Sequence, residues 1–209
     1  MLSLPDFPDE YFQKQDNRDD SQFYSFPRKV VHIDDYAIAR VRDLFHELLP
    51  PGGVYLDLMS SWRSHLPNSL FPARVVGLGM NAEEMADNPQ LDTYTVQNLN
   101  QQPKLPFEDQ TYDGAFCTVS AQYLQQPIAV FREVCRVLRP NAPFIVTFSN
   151  RCFPSKAVRA WLSRTDAQHI ALVTTYFEKA GQWADINSRQ YISSGSDPLF
   201  AVWAKRRQA

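Results

Sequence analysis

Apolar residues recur at helical spacing near the start of the chain: Ile33, Ala37, Val41, Leu44, Phe45 and Leu48. The spacing predicts a helix to about Leu49, with Asp34 or Asp35 as its N-cap and Pro50-Pro51-Gly52-Gly53 as its stop. Short apolar runs follow, too brief for helices. VYLDLM (54–59), ARVVGLG (73–79), TYTVQNL (93–99), residues 112–119 and PFIVTFS (143–149) read as strands. Between the second and third, Asn81 with Glu84 resembles a capping box and opens a short helix that Asn88-Pro89 ends. Pro127 suits a first helical turn, and Ile128, Phe131, Val134, Cys135 and Leu138 mark the buried face behind it. Ser155 and Asp166 are expected to cap two more helices, the second closed by Gly181. The end, ADINSRQYIS then SSGSDP then LFAVWAK, reads as a hairpin with a longer loop.

Apolar strands alternating with helices argue for a largely parallel sheet covered on both faces, with the terminal hairpin making one edge antiparallel. Residues 1–29 stand apart as an arm or lid, acidic yet rich in Phe and Tyr; residues 30–209 form the main domain. An arm so aromatic is expected to lie on the body.

Composition narrows the function classes. A chain of 209 residues holds one sizeable core. Its apolar fraction of 44%, charged fraction of 21% and net charge of −2 give no field for nucleic acid. Lys205, Arg206 and Arg207 read as a solvated tail. Three scattered cysteines argue against a disulfide framework, and four scattered histidines show no metal-ligand spacing. The start, MLSLPDFPDEYF, lacks the pattern of a signal peptide, and no run approaches a membrane span. The expectation is a cytoplasmic protein that takes a small-molecule substrate, with no nucleic acid, membrane or metal.

The order of motifs resembles the class I S-adenosylmethionine-dependent methyltransferases, in particular their type 11 group. VYLDLM is similar to that family's first strand with its Asp, and VVGLGMNAEEM to its second strand and helix. LPFEDQTYDGAF matches the approach to its fourth strand, and FREVCRVLRPNAPFIVTFSN the helix, Leu-Arg-Pro turn and fifth strand. AGQW and DPLFAVWAK resemble the closing elements. The resemblance implies an α/β, Rossmann-like three-layer sandwich: a seven-stranded, mostly parallel sheet with an antiparallel C-terminal strand. It implies S-adenosylmethionine as cofactor.

The sequence departs from the family at the cofactor loop. No glycine lies between Gly53 and Gly77, where the family has a glycine-rich turn after its first strand. Gly79 or Met80 stands where the family has a ribose-binding acid, and Asn98 where an Asp often lies near adenine. The resemblance places the cofactor among Asp57, Met59, Ser60, Ser61, Trp62, Gly79, Met80, Asn81, Asn98, Leu99 and Ser120. Asp57 is expected to anchor the amino group, and Asn81 to reach the ribose. Alternatively Trp62 fills the pocket, and the chain is a non-catalytic relative serving as a binding or partner module. Gly77-Leu78-Gly79-Met80-Asn81-Ala82 also fits a lone dinucleotide fingerprint, without the following acid. Substrate contacts are expected from Tyr24, Arg28, His32, Tyr123 and Asn150, which precede the domain or follow strands four and five. Gln122 and Arg151 lie on the same rim. Trp161 reads as core, and His65 as a surface loop residue. No catalytic base is identifiable from the sequence.

Overall fold

The structure, a computed structural model, describes residues 7–208; the arm's first six residues, the first half of the MLSLPDFPDEYF stretch, lie outside the described residues. A 3-10 turn at Asp9–Phe12 and the short helix α1 (Asp20–Tyr24) make up the arm. Then come α2 (Asp35–Leu48), β1 (Val54–Leu58), β2 (Arg74–Gly79), α3 (Ala82–Ala86), β3 (Thr93–Val96) and β4 (Gly114–Thr118). The rest is α4 (Pro127–Val137), β5 (Pro143–Phe148), α5 (Arg159–Leu162), α6 (Asp166–Ala180), β6 (Trp183–Tyr191) and β7 (Leu199–Arg206).

The seven strands form one sheet in the order β3-β2-β1-β4-β5-β7-β6. The first five pair in parallel, and β7 runs antiparallel to both β5 and β6. This is the expected architecture. Alternate residues of each central strand face opposite layers. Leu56, Leu78, Cys117, Val146 and Val202 pack with Phe131 of α4 and Phe177 of α6. Tyr55, Phe116, Ile145 and Trp203 pack against Val41 and Phe45 of α2.

Local signals decided several boundaries. Asp34 caps α2, accepting from the Ala37 N–H at 2.9 Å, and Pro127 opens α4. Gly181, with φ of 72°, ends α6. Other expectations need correction. Thr165, not Asp166, caps α6, because Gln168 completes a capping box with it. Ser155 caps nothing: its carbonyl accepts from the Asp16 N–H, and α5 starts only at Arg159. β3 stops at Val96, since Asn98 opens a turn by accepting from the Asn100 N–H. The Lys205–Arg207 stretch is no loose tail. Arg206 belongs to β7 and donates to the Leu138 carbonyl, and Arg207 donates to that of Trp183 at 2.8 Å. Trp161 is core, stacked on His169 at 4.0 Å.

The described part of the arm is strapped to the body. The Arg159 N–H donates to the Gln13 carbonyl at 2.8 Å, and Phe7 and Phe12 pack on Tyr176. Beneath lies a buried charge cluster. Lys14 and Lys156 flank the Asp20 carboxylate at 2.5 and 3.2 Å, and Lys156 also meets Asp16 at 3.2 Å. Burial pushes the Lys14 amine down from its ordinary value, against the pull of Asp20. A strap held this way places α1 over the carboxyl ends of the strands, where open α/β sheets bind ligands.

Candidate functional site

The chain leaves β1 unlike a glycine-rich loop. Its crossover to β2 contains only a 3-10 turn, Asn68–Leu70, so no helix follows the 57–62 loop. Met59 takes the left-handed conformation itself, at φ of 57°. The close backbone approach is instead made from the neighbouring strand. A Cβ added to Gly79 would run into the Ser60 carbonyl and lie 3.0 Å from Met85 Sδ. One added to Gly77 would lie 2.6 Å from Leu91 Cδ1. The apparent dinucleotide fingerprint thus reflects packing against the β1 loop and Leu91.

Asp57, at the end of β1, is 4% exposed. One carboxylate oxygen accepts from Ser60 Oγ at 2.7 Å and Ser64 Oγ at 2.6 Å. Asn88 Nδ2 donates to both Ser64 Oγ and the Ser61 carbonyl at 2.9 Å. The serines therefore solvate the acid and shape the loop. Burial still dominates, raising the Asp57 pKa to about 7.

A cavity of about 680 Å³ opens above the strand ends, within the range of small-molecule sites, roughly 300–1,000 Å³. Every expected cofactor-loop residue lines it: Asp57, Met59, Ser60, Ser61, Trp62, Gly79, Met80, Asn81, Asn98, Leu99 and Ser120. So do Tyr24, Arg28, His32, Tyr123 and Arg151. Asn150 does not: it is exposed, outside the lining, beside Ser149. Gln122 is wholly buried and turns its amide to the Val119 carbonyl.

Three expectations about individual residues change. Trp62 does not plug the cavity; its Nε1 donates to the Val30 carbonyl at 3.0 Å, fastening the segment just after the arm to the rim. Asn81 is committed elsewhere: its oxygen caps α3 at the Glu84 N–H, and its nitrogen donates to the Tyr24 carbonyl at 2.9 Å. The nitrogen also reaches the Ser25 carbonyl at 3.4 Å, so both donors are engaged and only the oxygen's second lone pair is open to a ribose hydroxyl. His65 is half-buried in the cavity wall, with φ of 59°. Burial, helped by Arg42 and Arg63, pushes its pKa down to about 4, so the imidazole is neutral near pH 7.

Glu84 is the site residue that sequence reasoning passed over. Read as half of a capping box, it faces the cavity instead. One oxygen accepts from the Arg28 N–H and the other from Ser61 Oγ, each at 2.6 Å. It thus joins the arm to the β1 loop. Its position three residues after an N-cap was the only available signal. Tyr24 OH and Thr118 Oγ1, on cavity-lining residues, are buried without a partner. Such atoms are costly unless a ligand or water satisfies them. Among the described residues, no cluster of His, Cys, Asp and Glu could hold a metal ion.

Comparison with known proteins finds a methyltransferase domain model, two methyltransferases and a shared fold. Residues 62–146 match the model of a methyltransferase domain. Methyltransferase phqN of Penicillium fellutanum is 35% identical over 78 residues, 34% of this chain and 24% of that protein. Sterol 4-C-methyltransferase strm-1 of Caenorhabditis elegans is 44% identical over 43 residues, 21% of this chain and 13% of that protein. The matches span a quarter or less of these curated relatives. An S-adenosylmethionine-dependent methyltransferase from Mesorhizobium loti superposes with a TM-score of 0.56 at 16% identity, over 78% of this chain and 96% of that one. One from Thermotoga maritima gives 0.59 at 12% identity, over 82% and 90%. The [4+2]-cyclase SpnF gives 0.58 at 14% identity, over 81% and 82%. At these identities, the structures share a fold.

Proposed function

We propose, from the premise that this chain belongs to the class I S-adenosylmethionine-dependent methyltransferases of the type 11 group, that it transfers a methyl group to a small molecule in the 680 Å³ cavity. One observation carries the reading. The ends of β1, β2 and β4 and the turn after β3 meet in that cavity, although the family's glycine loop is missing. The residues present fit the cofactor. Asp57 would offer a carboxylate to its amino group, the loop from Met59 to Trp62 would border its methionine part, and Gly79, Met80, Asn98, Leu99 and Ser120 would border its nucleoside.

When bound, S-adenosylmethionine would supply an electrophilic methyl group on its sulfonium. The chain's own contribution is alignment and exclusion of water. Asp57, held by Ser60 and Ser64, would hold one end of the cofactor. The segment from Tyr24 to Asp34, the end of the arm and the residues that follow it, roofs the cavity, pinned by Asn81, Glu84, Trp62 and Asp197. Near pH 7 the neutral His65 imidazole leaves its part of the wall uncharged.

The second reading, a non-catalytic binding or partner module, draws on the internally satisfied Asp57 and on the cyclase that shares the fold. Thermal unfolding with S-adenosylhomocysteine separates the two. At about 100 times the dissociation constant, the ligand adds about 2.7 kcal/mol, a rise on the order of 5–10 °C. That rise supports the transferase; no rise at millimolar ligand leaves the second reading.

A further inference from the structure

Arg28 is the half-buried cation of the cavity wall, and among the described residues no carboxylate lies within ion-pair distance of it. The other cavity charges are placed differently: Arg63 is exposed to solvent, lies over the Trp62 ring at 3.9 Å and donates to the Trp62 carbonyl at 2.7 Å. Asp20 sits between Lys14 and Lys156, Arg151 holds Asp197, and Asp57 has its serines. Glu84 meets the Arg28 backbone N–H and not its side chain.

The Arg28 head group is nonetheless held in place. Nη1 donates to the carbonyls of Phe23 at 2.8 Å and Phe26 at 3.3 Å. The guanidinium lies 4.2 Å from the centre of the Phe23 ring and 5.8 Å from that of Phe153. These bonds use one nitrogen, leaving the Nε and Nη2 edge, a fork matched to a carboxylate. Beside it is an aromatic wall. Phe153 stacks with Tyr123 at 6.0 Å and meets the edge of His32 at 5.2 Å, and all three line the cavity. The partnerless Tyr24 hydroxyl belongs to the same wall.

We infer that the methyl acceptor is an aromatic carboxylic acid: Arg28 takes its carboxylate, Phe153 and Tyr123 flank its ring, and Tyr24 bonds a polar ring substituent. This rests on the transferase reading for the word acceptor. The ligand class itself rests on the wall. A neutral ligand would leave the half-buried guanidinium without a counter-charge, and an aliphatic one would forgo the ring contacts.

The test is calorimetric titration of the protein, with and without saturating S-adenosylhomocysteine, using benzoate, its neutral isostere benzamide, cyclohexanecarboxylate and 4-hydroxybenzoate. The expected result is benzoate binding at least tenfold tighter than benzamide and several-fold tighter than cyclohexanecarboxylate, with 4-hydroxybenzoate tighter still. Arg28→Gln should cut the benzoate-to-benzamide ratio below about threefold. Arg28→Lys, which keeps the charge but loses the fork, should fall between. Circular dichroism and unchanged S-adenosylhomocysteine affinity show that each variant keeps the site. Should Arg28→Gln lose its fold, the lysine variant decides: an undiminished ratio overturns the assignment. Wild-type protein that binds benzoate no better than benzamide also overturns it. Loss of S-adenosylhomocysteine binding alone, with the carboxylate preference intact, counts against the transferase reading instead.

Discussion

Asp57→Asn should make the protein more stable and the cofactor site worse, with a pH dependence that identifies the cause. The carboxyl is buried, and its pKa is raised from 3.8 to about 7. A rise of about 3 units is worth roughly 4 kcal/mol between protonation states. Below pH 3.8 both folded and unfolded chains hold the proton, so the group makes no difference. Between about pH 4 and 7 the unfolded chain releases it while the folded chain keeps it. Stability therefore falls as pH rises through that window, and stays lower above it. Asparagine has nothing to release, and its amide oxygen still accepts from the Ser60 and Ser64 hydroxyls. Urea unfolding at pH 4.5, 6, 7.5 and 8.5 should show the variant gaining on wild type by up to about 4 kcal/mol across the series. S-adenosylhomocysteine should bind the variant about 10- to 100-fold more weakly at pH 8, the loss of one charge-assisted bond. A stability difference flat with pH would refute the raised pKa. Unchanged affinity would refute the anchoring role.

Gly79→Ala should push the new methyl against the Ser60 carbonyl and lower stability by about 1–3 kcal/mol, seen as a drop in melting temperature on the order of 2–10 °C; an unchanged melting temperature would show that the approach is not tight. Glu84→Gln should weaken the hold on the Arg28 N–H and Ser61 and speed tryptic cleavage after Arg28 and Lys29, read by mass spectrometry of the fragments; equal cleavage rates would remove Glu84 from the latch. Lys156 is fully buried between Asp16 and Asp20, so Lys156→Met should cost about 3–5 kcal/mol, and adding Asp20→Asn should recover part of it. Strictly additive losses in that double variant would mean the pair is not coupled.

The limits of the sequence show in particular residues. Thr165 competed with Asp166 for the same cap, and only Gln168 reaching back decided between them. Asn81 and Glu84 looked like a reciprocal box, yet Glu84 met better partners in Ser61 and the arm, both distant in sequence. His65 looked like loop surface because nothing local says that a loop folds into a wall. Arg206 looked like tail because its partner carbonyls belong to α4 and the residue after it.

The sequence alone determined the order of strands and helices along the chain, their buried faces, an aspartate cap at 34 or 35, the helix start at Pro127 and the stop at Gly181. Those depend on side-chain period and on hydrogen bonds within a few residues, which the linear chain carries in full. Tertiary structure decided how a loop without glycine closes on Asp57, that the close approach is made at Gly79, and that the arm becomes the roof. Each depends on groups far apart in the chain competing for the same few hydrogen bonds and the same space. That competition is settled only when the strands stand side by side.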